Sequence, residues 1–94
     1  MKTFVIERDI PGAADLSDEE LNGISQASCA AITDLDRPYR WLHTYVAGDK
    51  FYCVHAAESE ADVREHAKLG GFPVKSVNEL ASVIDSSGVR GVPA

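Results

Sequence analysis

Trp41-Leu42-His43-Thr44-Tyr45-Val46, then Ala47-Gly48-Asp49, then Lys50-Phe51-Tyr52-Cys53-Val54-His55-Ala56 decide how this chain is read. Two runs rich in aromatic and β-branched residues flank a Gly-Asp turn, which is the pattern of a β-hairpin. The same stretch holds two of the three histidines and one of the two cysteines. Paired residues on adjacent strands bring their side chains to within about 5 Å, so soft metal donors here can converge.

Elements on either side of the hairpin complete the pattern. Upstream, Phe4-Val5-Ile6-Glu7 is a short strand closed by Asp9-Ile10-Pro11-Gly12. Ser17 with Glu20 forms a capping box, and Leu21, Ile24, Ala27, Ala31, Ile32 and Leu35 recur at helical spacing. An amphipathic helix is expected over Asp18 to Asp34, with Ser28 on its apolar stripe, and Pro38 bars its continuation. Downstream, Ser59 and Asp62 repeat the cap signal for a helix over Glu60 to Leu69, ended by Gly70-Gly71-Phe72-Pro73. A last strand is expected within Ser76 to Ile84.

The order β-α-β-β-α-β is the split βαβ, or ferredoxin-like, arrangement: an α+β sandwich with two helices on one face of an antiparallel sheet. Residues 1–85 form that domain, and 86–94 read as a loose tail. The strands carry apolar residues on both alternations, so the face without helices needs a cover. A homodimer through that face or its edge is expected, since twofold dimers are the commonest solution.

Which way the histidines point depends on the turn. A two-residue loop at Gly48-Asp49 sets His43 opposite Val54 and sends the two histidines to opposite faces. A three-residue loop at Ala47-Gly48-Asp49 sets His43 opposite Cys53 and gathers Trp41, His43, Tyr45, Phe51, Cys53 and His55 on one face. A shift of one residue moves every side chain across the sheet. The three-residue loop is the reading adopted, because it leaves Leu42, Val46, Val54 and Ala56 as an aliphatic, helix-facing surface.

Composition excludes several classes of function. A net charge of -6 and a pI near 4.8 argue against a nucleic-acid partner, which calls for a basic face. No apolar run approaches the roughly 20 residues of a membrane span, and the N-terminus turns charged too early for a secretory signal. A cytoplasmic setting with reduced thiols is expected, because Cys29 and Cys53 form no C-x-x-C pair. Cys29 reads as a small buried apolar residue of the first helix.

In the adopted register His43 and Cys53 can hold a transition metal together, with Glu7 from the neighbouring first strand completing the shell. His55 and His66 are further candidate donors. The competing explanation is packing at a dimer interface, since no compact motif such as H-E-x-x-H is present. An alternative from another class is a cofactor-free oxygenase or isomerase, with Trp41, Tyr45, Phe51 and His55 lining a pocket on the open sheet face and His43 as general base. That alternative rests on fold analogy.

Phe4-Val5-Ile6-Glu7-Arg8 followed by Pro11, then Trp41 to Val46, then Asp49 to Val54, and Val63-Arg64-Glu65-His66-Ala67 leading to Gly71-Phe72-Pro73-Val74 resemble the small bacterial nickel-responsive, nickel-binding proteins, long grouped as a domain of unknown function. The resemblance spans about Lys2 to Ile84. It implies a ferredoxin-like homodimer that binds nickel at the dimer surface, for sequestration or detoxification, and it implies no enzyme activity. The positions matching the family's recurrent polar residues are Glu7, His43, Cys53 and His66. His55 stands where relatives often carry tyrosine, and the segment from Val89 to Ala94 extends beyond the shared region.

Overall fold

The computed structural model describes residues 1–93; Ala94, the end of the segment read as a tail, lies outside the described residues. Four strands form one antiparallel sheet: β1 (Lys2–Asp9), β2 (Tyr39–Ala47), β3 (Lys50–Ala57) and β4 (Ser76–Glu79), in the order β2-β3-β1-β4. Helices α1 (Asp18–Leu35) and α2 (Glu60–Gly70) make the two crossovers and pack against one face of the sheet. The fold is the expected α+β, ferredoxin-like one, with β1 and β3 as central neighbours.

Local chemistry fixes the helix ends. Ser17 Oγ accepts from the Glu20 N–H at 3.1 Å, and Glu20 Oε1 accepts from the Ser17 N–H at 3.1 Å, so both bonds of the capping box form. Helix α1 stops at Asp36, whose φ of 52° is the left-handed turn that an Asp side chain tolerates. Ser59 caps α2, and Gly71 at φ 72° closes it by donating its N–H to the carbonyls of Ala67 and Lys68. Gly70 is required for a different reason. A Cβ there would overlap Cε2 of Phe72, so the ring lies directly against the helix backbone.

The hairpin register differs from the one adopted above. Ala47 pairs with Lys50, so the loop is the two residues Gly48 and Asp49, with Gly48 at φ 57°. This turn is held from outside: Asp49 Oδ1 accepts from the Gly12 N–H at 2.9 Å, and its carbonyl accepts from the Ile10 N–H. A bulge then lies between Trp41 and His43. Trp41 pairs with His55, His43 with Val54 and Thr44 with Cys53. The aliphatic-face argument failed because the helix-facing surface is not aliphatic. It is mixed, and it carries Cys53 and His55.

Phe4 and Ile6 from β1, Tyr39 from β2, Phe51, Cys53 and Ala57 from β3, and Val77 from β4 meet Leu35 of α1 and Val63 of α2 in one core. Ile6 and Val63 are wholly buried, each contributing roughly 1.5–3 kcal/mol of apolar transfer. Cys29, in contrast to its expected burial, is exposed on the outer side of α1. The expected last strand is also shorter than its apolar pattern suggested. Val83 and Ile84 leave the sheet and join a separate hairpin, β5 (Val83–Asp85) with β6 (Gly88–Arg90), which starts within the part read as the domain and puts a strand into the segment read as loose. Beyond it the Thr3 hydroxyl donates to the Pro93 carbonyl, which brings the chain end back to β1. Among the described residues no helix is long and apolar enough to cross a membrane.

Candidate functional site

Strand alternation sends Phe4, Ile6 and Arg8 of β1 to the helix side, and the same side receives Phe51, Cys53 and His55 of β3. Where α1 stands off this surface, the packing leaves a cavity of about 240 Å3. Leu21 and Ile24 of α1 line it with Phe51 and Phe72, and Trp41, Thr44 and Val46 of β2 border it. Into this mainly apolar space project Arg8, Cys53, His55 and His66.

The two imidazoles are buried and neutral. His55 is 2 % exposed, and its Nδ1 is hydrogen-bonded to the Tyr39 hydroxyl. Burial pushes the Tyr39 phenol well above its ordinary range, so the hydroxyl keeps its proton and either donates to Nδ1 or accepts from it, according to the His55 tautomer. Desolvation, with smaller contributions from the charges of His66 and Arg8, lowers the His55 pKa to about 3. Burial likewise lowers that of His66. His66 has no exposed surface, and its Nε2 lies 3.2 Å from both the hydroxyl and the carbonyl oxygen of Ser28. A carbonyl only accepts, so Nε2 carries the proton and Nδ1 is left with a bare lone pair. That Nδ1 is buried and without a hydrogen-bond partner. The His55 and His66 ring centroids are 5.2 Å apart, and Tyr39 stacks on His66 at 4.7 Å.

Arg8 is the charged member of the group. It is 2 % exposed; Nε donates to Cys53 Sγ at 3.4 Å, and Nη1 donates to the Pro73 carbonyl at 2.9 Å. The guanidinium also lies 5.4 Å from the centroid of the Phe72 ring, a cation–π contact.

The five donors named from sequence therefore divide between the two faces. Cys53, His55 and His66 come together at the cavity. His43 faces the other side of the sheet, exposed, with its ring edge-on to Tyr45 at 4.9 Å. Glu7 also lies on that side. Its Oε2 is 2.5 Å from Lys50 Nζ and 3.6 Å from Lys75 Nζ, and the Lys50 hydrogen bond holds its carboxyl below the usual range. The expected His43–Cys53 pair is thus separated by the thickness of the sheet, the direct result of the shorter turn. The pocket of the alternative reading divides the same way. Trp41, Phe51 and His55 line the cavity, which lies under the helices, while Tyr45 and His43 do not reach it. Among the described residues no three His, Cys, Asp or Glu side chains are gathered closely enough to form a ready metal cluster.

Arg8, Tyr39 and Ser28 are the site residues that sequence reasoning missed as such. For Arg8 a signal existed: it continues the Phe4, Ile6 alternation by two residues, which places a charge on the core face.

Comparison with known proteins agrees with this architecture. The family model described as nickel-responsive protein SCO4226-like matches residues 4–80. The crystal structure of SCO4226 from Streptomyces coelicolor A3(2) superposes with a TM-score of 0.69 at 17% identity, covering 84% of this chain and 95% of that one. No curated protein matches the chain.

Proposed function

This chain belongs to the SCO4226-like family of nickel-responsive proteins, and from that premise we propose that it binds nickel or a similar divalent transition ion, for sequestration or detoxification. The donors are Cys53, His55 and His66. One observation carries the assignment: the buried, unpartnered Nδ1 of His66, beside a second neutral imidazole and a thiol. Imidazole suits nickel, and a thiolate adds affinity for soft ions. Neutral imidazoles bind metal without first losing a proton, which supports binding at neutral pH. The three groups must turn toward the ion, and non-protein ligands complete its shell.

The acidic surface supports the same reading by raising the local concentration of cations. We also propose a twofold homodimer. Its support is the open sheet face, where Tyr45 is 61% exposed, together with the unpaired outer edge of β2. Two unpaired cysteines support a reducing, cytoplasmic setting.

Calorimetric titration of nickel into chelator-treated protein tests the donor set. Binding that weakens at least tenfold in Cys53→Ser and His66→Gln, with loss of the thiolate-to-nickel absorption in the former, is the expected result. His43→Ala should leave the isotherm unchanged. Dependence on His43 with indifference to Cys53 would move the site to the open face and overturn the assignment.

A further inference from the structure

Arg8 is a buried guanidinium with no carboxylate partner among the described residues. Arg8 offers five N–H groups. Two are used, one on Cys53 Sγ and one on the Pro73 carbonyl, and neither acceptor is a carboxylate. No carboxylate lies within 4.0 Å of the group among the described residues. Buried charges are ordinarily paired, because removing an ion from water costs far more than one neutral hydrogen bond returns. Among the described residues, no Asp or Glu side chain lines the cavity beside Arg8.

We infer that the cavity beneath α1 binds a small organic monocarboxylate, with its carboxylate on Arg8 and its apolar body against Leu21, Ile24, Phe51 and Phe72. The charge of Arg8 selects the sign of the ligand, and its planar fork matches a carboxylate. The lining selects the remainder. Four large apolar side chains cannot solvate the further charged oxygens of inorganic phosphate, but they accept an aliphatic or aromatic body. The volume sets the scale, because about 240 Å3 falls below the usual range for drug-sized ligands. A nucleotide does not fit, whereas a benzoate-sized or short-chain acid does. Entry lies between α1 and β2, where Leu21, Ile24 and Trp41 are only half-buried and Val46 is 39% exposed.

The inference concerns Arg8 rather than the nitrogen and sulfur donors, and it does not rest on the nickel reading. The two meet at one point: the guanidinium opposes an unaccompanied dication, so a bound anion eases entry of a metal into the same cavity.

Metal-free protein is titrated with benzoate, hexanoate, benzamide and inorganic phosphate, followed by calorimetry and by the fluorescence of Trp41, the sole tryptophan. Benzoate should bind about ten- to a hundredfold more tightly than benzamide, the worth of hydrogen bonds to a charged group. Phosphate should not compete. Arg8→Gln should abolish the acid-over-amide preference. Ile24→Trp, which fills the mouth and leaves Arg8 in place, should weaken acid and amide alike. Equal binding of benzoate and benzamide, no binding of either acid, or phosphate binding as tightly as benzoate each overturns the proposal. So does a folded Arg8→Gln protein that keeps the preference; if that variant does not fold, the wild-type comparison and Ile24→Trp decide. The nickel isotherm of Ile24→Trp, recorded alongside, shows whether metal binding fails or survives separately.

Discussion

Lowering the pH should unfold this protein through its interior before its surface carboxylates titrate. His55 has an ordinary pKa of 6.5 and is held to about 3 in the fold, first by desolvation and then by the charges of His66 and Arg8. The unfolded chain therefore binds this proton at a pH where the folded chain refuses it. Stability is complete above pH 6.5 and falls as pH drops from there toward 3. Each pH unit in that window costs about 1.4 kcal/mol per group, so His55 alone removes about 2 kcal/mol by pH 5 and about 5 by pH 3. His66, lowered by burial, adds to the loss in the same direction. Losses of this size are large beside the roughly 5–15 kcal/mol that holds a typical domain. Glu7 and Asp9 do not confuse the reading. Their depressed pKa values contribute stability that is lost only below their ordinary values of 4.5 and 3.8.

The assay is urea unfolding of chelator-treated protein by far-ultraviolet circular dichroism at pH 7, 6 and 5. His55→Gln is the control, since its amide can either accept from or donate to the Tyr39 hydroxyl. The wild type should lose at least about 2 kcal/mol between pH 7 and 5, and the variant about 2 kcal/mol less than the wild type. Parallel pH dependences for the two proteins, or a wild type that is flat across this interval, would refute the claim that His55 is buried as the neutral ring.

Two stability predictions accompany it. Gly70→Ala drives a methyl group into the Phe72 ring and should cost about 1–3 kcal/mol of overpacking, read as a lowered Tm; an unchanged Tm would mean that the ring swings aside freely. Ser17→Ala removes one bond of the capping box and leaves the Glu20 N–H unpaired, for a loss of about 1 kcal/mol in urea denaturation; retention of full stability would assign the start of α1 to its packing rather than its cap.

The sequence was most legible where chemistry is local. Ser17 with Glu20 and Ser59 with Asp62 mark helix starts through side chain-to-backbone bonds spanning three residues, and both helices begin at the positions read from those caps. Gly71 marks a helix end because it adopts the left-handed conformation open to glycine. The hairpin was legible as a hairpin but not in register. Ala47-Gly48-Asp49 accommodates either loop length, and the choice is made by partners distant in sequence, the N–H groups of Gly12 and Ile10, which fasten Asp49. The bulge after Trp41 then rephases the rest of β2. These two tertiary facts decide which donors share a face. They explain why Trp41, Phe51, Cys53 and His55 were rightly grouped while His43 and Tyr45 were wrongly added. Charge was misleading at Arg8, where a residue type that usually ends a buried strand continues one.

The irregularity after Trp41 also governs how β2 tolerates changes of length. Residues before it reach the helix side at odd positions, Tyr39 and Trp41, and residues after it at even positions, Thr44 and Val46. Deleting Leu42 would remove the extra residue and restore a single phase with every other pair kept, whereas a deletion between His43 and Ala47 would send the residues beside it to the wrong face. Changes of length should therefore be accepted at Leu42 and in the β5–β6 hairpin, where Ile84 and Val89 are mostly exposed, far better than elsewhere in β2.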